Sequence, residues 1–230
     1  MSYKRRRVAP QISWSPLIAY AVGLIATDGC LSGDGRHIAF VTKDEELMRT
    51  WLRCVGHSQL AYQTSTSSAG NPVYRVQVSD VGLYRWLLGL GLTPRKSLTL
   101  GAVLVPSDLF VHFVRGLLDG DGSIYTLRHR PTTHSQPLYW YERLWTLFGS
   151  ASSEHVDWLR QTIDLRFGLN GAIGVRSRAG RHDYYTLKYG NRDSLVLLAA
   201  IYADVEAPCL GRKREKWRDF LRRNRAEGGI

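Results

Sequence analysis

The sequence predicts an α+β protein built as two pseudo-symmetric copies of one unit, each running helix, two strands, helix, two strands, helix. Three observations carry this. An almost wholly apolar stretch ending in Asp-Gly occurs twice, at 15–29 and 107–122. The same order of amphipathic helices and alternating strands follows each copy. The 230 residues are 44% hydrophobic and carry a net charge of +11, enough for a real core under a basic surface. Of the 31 basic residues, 25 are arginine, the side chain suited to bidentate phosphate and guanine contacts. That balance points to a polyanion, and first to nucleic acid.

The first apolar helix reads as capped by Ser15, with Pro16 at its first position, and runs to Asp28-Gly29. The second reads as capped by Ser107 and runs to Asp121-Gly122. A helix apolar on every side belongs inside a core, and each terminal glycine reads as a stop. In the first half follow a strand at 36–41 and a helix at 44–55 with Leu47, Met48, Trp51, Leu52 and Val55 inward and Gly56 as its stop. Strands at 60–66 and 72–78 and a helix at 81–90 complete it. Residues 91–106, with Pro94 and Pro106, read as a linker. In the second half, strand material runs to Phe148. Ser153 then caps a helix with Val156, Leu159, Ile163 and Phe167 inward and Gly168 as its stop. Strands at 171–178 and 183–189 and a helix at 194–203 follow. This copy is about 19 residues longer, an excess placed in its first hairpin at 126–145. Aromatics on both faces of 139–148 leave that strand's register open. A basic amphipathic helix at 212–225 closes the chain. The units are thus a basic arm at 1–14, a first half at 15–90, the linker, and a second half at 107–230.

Three cysteines without metal-ligand spacing argue against a disulfide framework and a zinc knuckle. No apolar run is long enough to span a membrane. The basic start at Lys4–Arg7 leads into no apolar segment, so it reads as an arm rather than a signal peptide. The expectation is an intracellular protein of the cytoplasm, nucleoid or an organelle matrix, not a secreted one. The seven histidines show no metal pairing, and no acid stands two residues before a lysine, which argues against other metal-nuclease signatures.

A carboxylate at a helix C-terminus sits in an unfavourable field and costs a few tenths of a kcal/mol. Both copies accept that cost. Gly23 and Gly116 each lie five residues before the acid. Glycine inside a helix costs about 1 kcal/mol, and what it offers is close approach of two backbones. Two such helices packed side by side bring Asp28 and Asp121 together, where like charges repel unless a cation joins them. Oxygen donors suit Mg²⁺ or Mn²⁺. Paired acids in a basic protein suggest metal-assisted phosphodiester hydrolysis.

Ala21-Val-Gly-Leu-Ile-Ala-Thr-Asp28-Gly29 and Val114-Arg-Gly-Leu-Leu-Asp-Gly-Asp121-Gly122 resemble the LAGLIDADG motif, present twice. With the repeat order, the chain is similar nearly throughout to double-motif, single-chain LAGLIDADG homing endonucleases. The first copy departs at Ala26 and Thr27, neither of them the metal-binding acid. The resemblance implies paired motif helices at the centre and antiparallel saddle-shaped sheets facing DNA. It implies a monomer that breaks both strands of an asymmetric target of roughly 20 base pairs. Asp28 and Asp121 become the catalytic metal ligands, with the carbonyls of Thr27 and Gly120 approaching the metal. Lys96 and Lys213 become catalytic residues that stabilise charge developing on the scissile phosphate or polarise the water. Thr42 and Ala151 take the water-positioning places, and since Ala151 has no polar group the two sites come out unequal. The implied cofactor is Mg²⁺ or Mn²⁺, with Ca²⁺ supporting binding without cleavage. The implied partner is double-stranded DNA, with no membrane and no obligate protein partner. Strand alternation nominates Arg75, Gln77, Arg176, Arg178, Thr186 and Lys188 as base readers, with Arg128 and Arg130 in the inserted stretch as further contacts. The same scaffold also serves as an RNA maturase or a DNA-binding regulator. Two intact acids speak for cleavage over that alternative.

Overall fold

Ser15 and Pro16 do open the first helix: the Ser15 hydroxyl accepts from the Ile18 N–H at 3.2 Å, and α1 (Pro16–Asp28) follows. The computed structural model describes residues 12–129 and 141–226. After α1 come β1 (Gly29–Leu31), β2 (His37–Thr42), α2 (Glu45–Cys54), β3 (Gln63–Thr66), β4 (Pro72–Ser79) and α3 (Val81–Gly89). The second half runs α4 (Phe110–Asp119), β5 (Ser123–His129), β6 (Tyr141–Ser150), α5 (Ser153–Phe167), β7 (Ala172–Arg176), β8 (Tyr184–Tyr189) and α6 (Asn191–Ile201), and α7 (Gly211–Ala226) closes the chain. Two antiparallel four-stranded sheets result, ordered β1-β2-β4-β3 and β5-β6-β8-β7. Matching orders in the two halves are the repeat that the sequence displays. No helix among the described residues is long and apolar enough to cross a membrane.

The core centres on α1 against α4. Ala19 to Ala26 are all buried, as are Phe110 and His112 to Asp119. The two backbones touch where Gly23 faces Gly116. A Cβ on Gly23 would run into the Phe113 carbonyl and lie 2.9 Å from Gly116 Cα. One on Gly116 would run into the Tyr20 carbonyl and lie 2.9 Å from Gly23 Cα. Inner sheet faces, including Ile38, Phe40, Val76, Val78, Leu144, Phe148 and Leu187, pack beneath with the outer helices.

Several local expectations need correcting. Ser107 opens a 3-10 turn (Ser107–Leu109) instead of capping α4; its hydroxyl and carbonyl accept from Arg166 at 2.8 and 2.7 Å. α4 ends at Asp119, so Asp121 stands two residues past the helix, in the turn. Gly29 and Gly122 are not left-handed stops. The chain folds back over the last helical turn, where a Cβ would lie 2.7 Å from Ile25 Cα or from Leu118 Cα. α5 is capped by Ser152, which accepts from His155 N–H at 3.4 Å, and Ser153 is its first helical residue.

The segment at 91–106 is packed rather than loose: Leu92, Leu100 and Val103 are buried. It crosses to the second half, where the Ser152 hydroxyl donates to Leu100 O at 2.6 Å. The segment leaving the second half crosses the other way. Gly211 N–H donates to Glu46 at 3.0 Å, and Arg212 forms a two-bonded pair with Asp44 at 2.9 and 3.0 Å. Each crossing segment therefore docks beside the first turn of a helix in the other half, 91–106 at α5 and Gly211–Arg212 at α2.

Replacing Gly116 by Ala is expected to push α1 and α4 apart and cost about 1–3 kcal/mol or more, lowering Tm by roughly 5 °C or more. Gly33→Ala is the control, since a Cβ there meets nothing within 4 Å; Gly35, with φ +77, is unsuitable. Equal melting curves for Gly116→Ala and the parent would contradict the helix contact.

Candidate active site

The helix pairing places Asp28 and Asp121 beside one another at the same end of the core. Burial first, and the Asp121 charge second, push the Asp28 carboxyl up to about 7. Burial also raises Asp121, while Lys213 and Lys96 pull it back. Two cavities flank the pair. One, of about 370 Å³, is lined by Asp28, Thr42, Asp44, Gly120, Asp121 and Arg212. The other, of about 180 Å³, is lined by Thr27, Lys96, Ser97, Asp121, Ser150, His155 and Tyr184. Gly120 thus borders the Asp28 cavity and Thr27 the second, each motif contributing to both. Gly120 must be small, because a Cβ would lie 2.9 Å from Thr27 Cβ and 3.1 Å from Asp28 Oδ2.

Lys96 and Lys213 are each only 5% exposed and sit beneath the carboxylates. Lys96 donates to the Gly29 carbonyl. Lys213 donates to four carbonyls, of Leu118 at 2.6 Å, Asp119 at 2.9 Å, Gly120 at 3.2 Å and Gly122 at 2.7 Å. The first three are orphan acceptors at the C-terminal end of α4, where a cation is favoured, and Gly122 lies in the turn that follows. Burial lowers Lys96 and takes Lys213 down to about 8. Arg95, at φ 58, turns the chain so that Lys96 opens a 3-10 turn (Lys96–Leu98) pointing inward. Such a left-handed non-glycine residue costs of order 1 kcal/mol or more.

Asp119 is a residue the sequence reading passed over. It is 1% exposed, and its Oδ2 accepts from the Tyr20 hydroxyl at 2.9 Å and from Leu210 N–H at 2.7 Å. Its Oδ1 has no partner among the described residues, and burial pushes its carboxyl up to about 6. Through Leu210 it anchors the segment that delivers Lys213. Its motif letter was the available signal; Ala26 holds that place in α1.

The residue matching Thr42 is Ser150, not Ala151. Thr42 ends β2 and accepts from Asp44 N–H at 3.2 Å; Ser150 ends β6 and accepts from Ser152 N–H at 3.1 Å. Both cavities therefore carry a hydroxyl at this place. The cavities differ elsewhere: Val41 and Val73 line the first where Gly149 and Tyr184 line the second. A Cβ at Gly149 would lie 2.7 Å from Tyr184 Cζ, so the glycine makes room for the ring. His155 also faces the second cavity. Burial takes it down to about 4, so it is neutral, and its Nδ1 donates to Gly101 O at 2.9 Å.

Val41, Val73, Gly149 and Tyr184 belong to the outward faces of their sheets, which are thus continuous with the carboxylates. Arg75 and Gln77 pair with Val41 and Ala39 on that face and are exposed. Thr186 and Lys188 pair with Gly149 and Leu147 on the second sheet. Arg176, opposite Tyr184, stands with its guanidinium 5.6 Å from that ring. Arg178 lies past the end of β7. Arg128 pairs with Glu142, on the face shared by buried Leu144 and Thr146, which is the helix-packed side. Arg130 and the Lys4–Arg7 arm lie outside the described residues. The open register of 139–148 resolves with Trp145 and Leu147 outward and Leu144, Thr146 and Phe148 inward.

No protein-family model matches the sequence, and no curated protein does. Solved structures do. Full-length DUF199/WhiA from Thermatoga maritima is 18% identical over 92% of this chain, with a TM-score of 0.55; this chain spans 63% of that one. The homing endonuclease I-WcaI, bound to its DNA recognition sequence, is 11% identical, covering 89% of this chain and 87% of its own, with a TM-score of 0.59. The LAGLIDADG meganuclease I-AabMI, bound to uncleaved DNA, is 14% identical, covering 94% and 92%, with a TM-score of 0.58. The likeness is one of fold: two antiparallel sheets and paired central helices in the arrangement of LAGLIDADG endonucleases.

The raised carboxyls set a sign for stability. Asp28 binds its proton more tightly folded than unfolded, so metal-free stability falls as pH rises from about 4 through about 7. Asp28→Asn is expected to be more stable than the parent at pH 8, on the order of 1–3 kcal/mol, and little different at pH 4.5. Thermal melts in EDTA at both pH values check this; a less stable variant at pH 8 would contradict it.

Proposed function

We propose that this chain is a site-specific DNA endonuclease of the homing type, which breaks both strands of a long asymmetric target with a divalent cation and acts as a single chain. The observation that carries the reading is the pair of carboxylates held together, at a cost, in a protein of net charge +11. A solvated or structural pair would not be buried against its own repulsion.

The donor set fits a hard cation. Both acids are driven toward protonation by burial, a bias that a bound cation reverses. Among the described residues no third His, Cys, Asp or Glu joins them to form a metal cluster. The remaining ligands would be the Thr27 and Gly120 carbonyls, water and phosphate oxygen, which suits Mg²⁺ or Mn²⁺. Bound there, the cation would neutralise the phosphate and make an attacking water more acidic. Asp28 and Asp121 hold the site at its two sides. Lys96 and Lys213 supply positive charge from below while fixing the helix ends. The Thr42 and Ser150 hydroxyls, each fixed by a backbone N–H, and the Tyr184 phenol can orient water or phosphate. Arg75, Gln77, Arg176, Thr186 and Lys188 meet the duplex along the outward faces.

A second reading is a nucleic-acid-binding protein on the same scaffold that does not cleave, such as a regulator or an RNA maturase. Its support is that both lysines are already bonded to backbone carbonyls, and that WhiA shares the fold about as fully as the endonucleases.

Cleavage of target plasmid in Mg²⁺ or Mn²⁺, and none in EDTA, is the expected result for the parent. Asp121→Asn should lose double-strand cleavage yet keep or tighten DNA binding, because one charge facing phosphate is gone. Its slope of log affinity against log salt should stay steep. Parental cutting by Asp121→Asn would overturn the catalytic reading, and a parent that binds but never cuts would favour the second reading.

Because one chain supplies both acids, one chain per duplex is expected in light scattering of the complex. Two chains on a single site would contradict the single-chain reading.

A further inference from the structure

The outward faces of the two sheets differ in chemistry. On the second, Ser123, Tyr125, Trp145, Leu147 and Lys188 enclose a hollow of about 350 Å³. Tyr125 and Trp145 are cross-strand partners with ring centroids 5.4 Å apart, and Tyr125 is 50% exposed. The Lys188 ammonium stands 4.7 Å from the Trp145 ring centroid. On the first sheet the places of Ser123, Trp145, Leu147 and Lys188 are held by Cys30, His37, Ala39 and Gln77, and exposed Gln63, Ser65 and Arg75 stand beside them on the same face.

An exposed apolar cluster on a sheet face marks a contact surface. Here the occupant is set by what surrounds it. Leu147 lies two residues before Gly149 on β6, so the cluster runs directly into the cavity that holds Asp121. Lys188 and Arg176 frame it on the same face, and a polyanion is the partner they fit. Apolar side chains cannot satisfy the donors and acceptors of a base edge, and burying those unpaired is costly. The apolar feature of the major groove is the thymine C5-methyl group.

We infer that the second half recognises its half-site through thymine methyl groups, packed against Tyr125, Trp145 and Leu147, whereas the first half reads by hydrogen bonds from Gln63, Arg75 and Gln77. The inference rests on the DNA-binding reading above and adds the composition of one half-site. Trp145 precedes Gly149 by four residues. At about 3.3 Å per residue that is ~13 Å, or about four base pairs from the cut.

The test begins with selection of binding sites from a randomised duplex by the full chain in EDTA. The expected site is asymmetric, with thymines about four base pairs from the centre in one half only. Uracil then replaces those thymines, which removes methyls and leaves base pairing intact. Affinity is expected to fall about fourfold per methyl, so roughly fifteenfold for two, and to change less than twofold when the other half is treated alike. Leu147→Asn should shrink the thymine-over-uracil preference without lowering the salt slope. An asymmetric site indifferent to uracil in both halves would overturn the inference while leaving DNA binding intact, and so would equal losses in both halves. Recovery of no preferred DNA would overturn the DNA-binding reading beneath it. A parent dimer split by Trp145→Arg, with unchanged half-site composition, would make the cluster a protein interface and also overturn the inference.

Discussion

Everything in this chain depends on two backbones touching at Gly23 and Gly116. A single methyl on either would strike the facing helix's carbonyl. That contact brings the ends of α1 and α4 together, and with them two groups that resist being neighbours. The penalty is partly electrostatic, between Asp28 and Asp121, and more largely the loss of water around each. The fold meets it from below with Lys96 and Lys213, whose ammonium groups serve carbonyls at and just past the helix ends and the acids' field at once. On the reading proposed above, a bound divalent cation would relieve that penalty.

The two halves are also tied through their exits. The segment after α3 reaches α5 through Leu100 and Gly101, and the segment after α6 reaches α2 through Gly211 and Arg212. Asp119 adds a third tie, accepting from the Tyr20 hydroxyl of the first half and from Leu210 N–H of the second. The lysines that support the carboxylates ride on these crossing segments. Moving one half would therefore move a lysine under the shared site.

Repeats, element order, the glycine pair and the two acids were legible because each is a local pattern in the chain. The lysines were legible as matching positions in the two copies, but not their partners, since a cap on carbonyls leaves no mark in a motif. Asp119 carried a motif letter, but its bonding role was hidden because Tyr20 and Leu210 are 99 and 91 residues away. The run Ser150-Ala151-Ser152-Ser153 offers three hydroxyls that can cap, and choosing Ser153 displaced the match to Thr42 by one residue, onto Ala151. Arg128 is nominated by its place in the inserted stretch rather than by a face; in β5 it alternates in step with buried Ile124, on the helix-packed side.

The central claim is that paired helices force two carboxylates into a site that a divalent cation relieves. Carbon-13 NMR of carboxyl-labelled aspartate, followed against pH, reads this directly. In EDTA the Asp28 carboxyl should titrate near 7, and its midpoint should fall when Ca²⁺ or Mg²⁺ is added. An Asp28 midpoint near the ordinary carboxylate value of about 4 in EDTA, unmoved by either cation, would contradict the account.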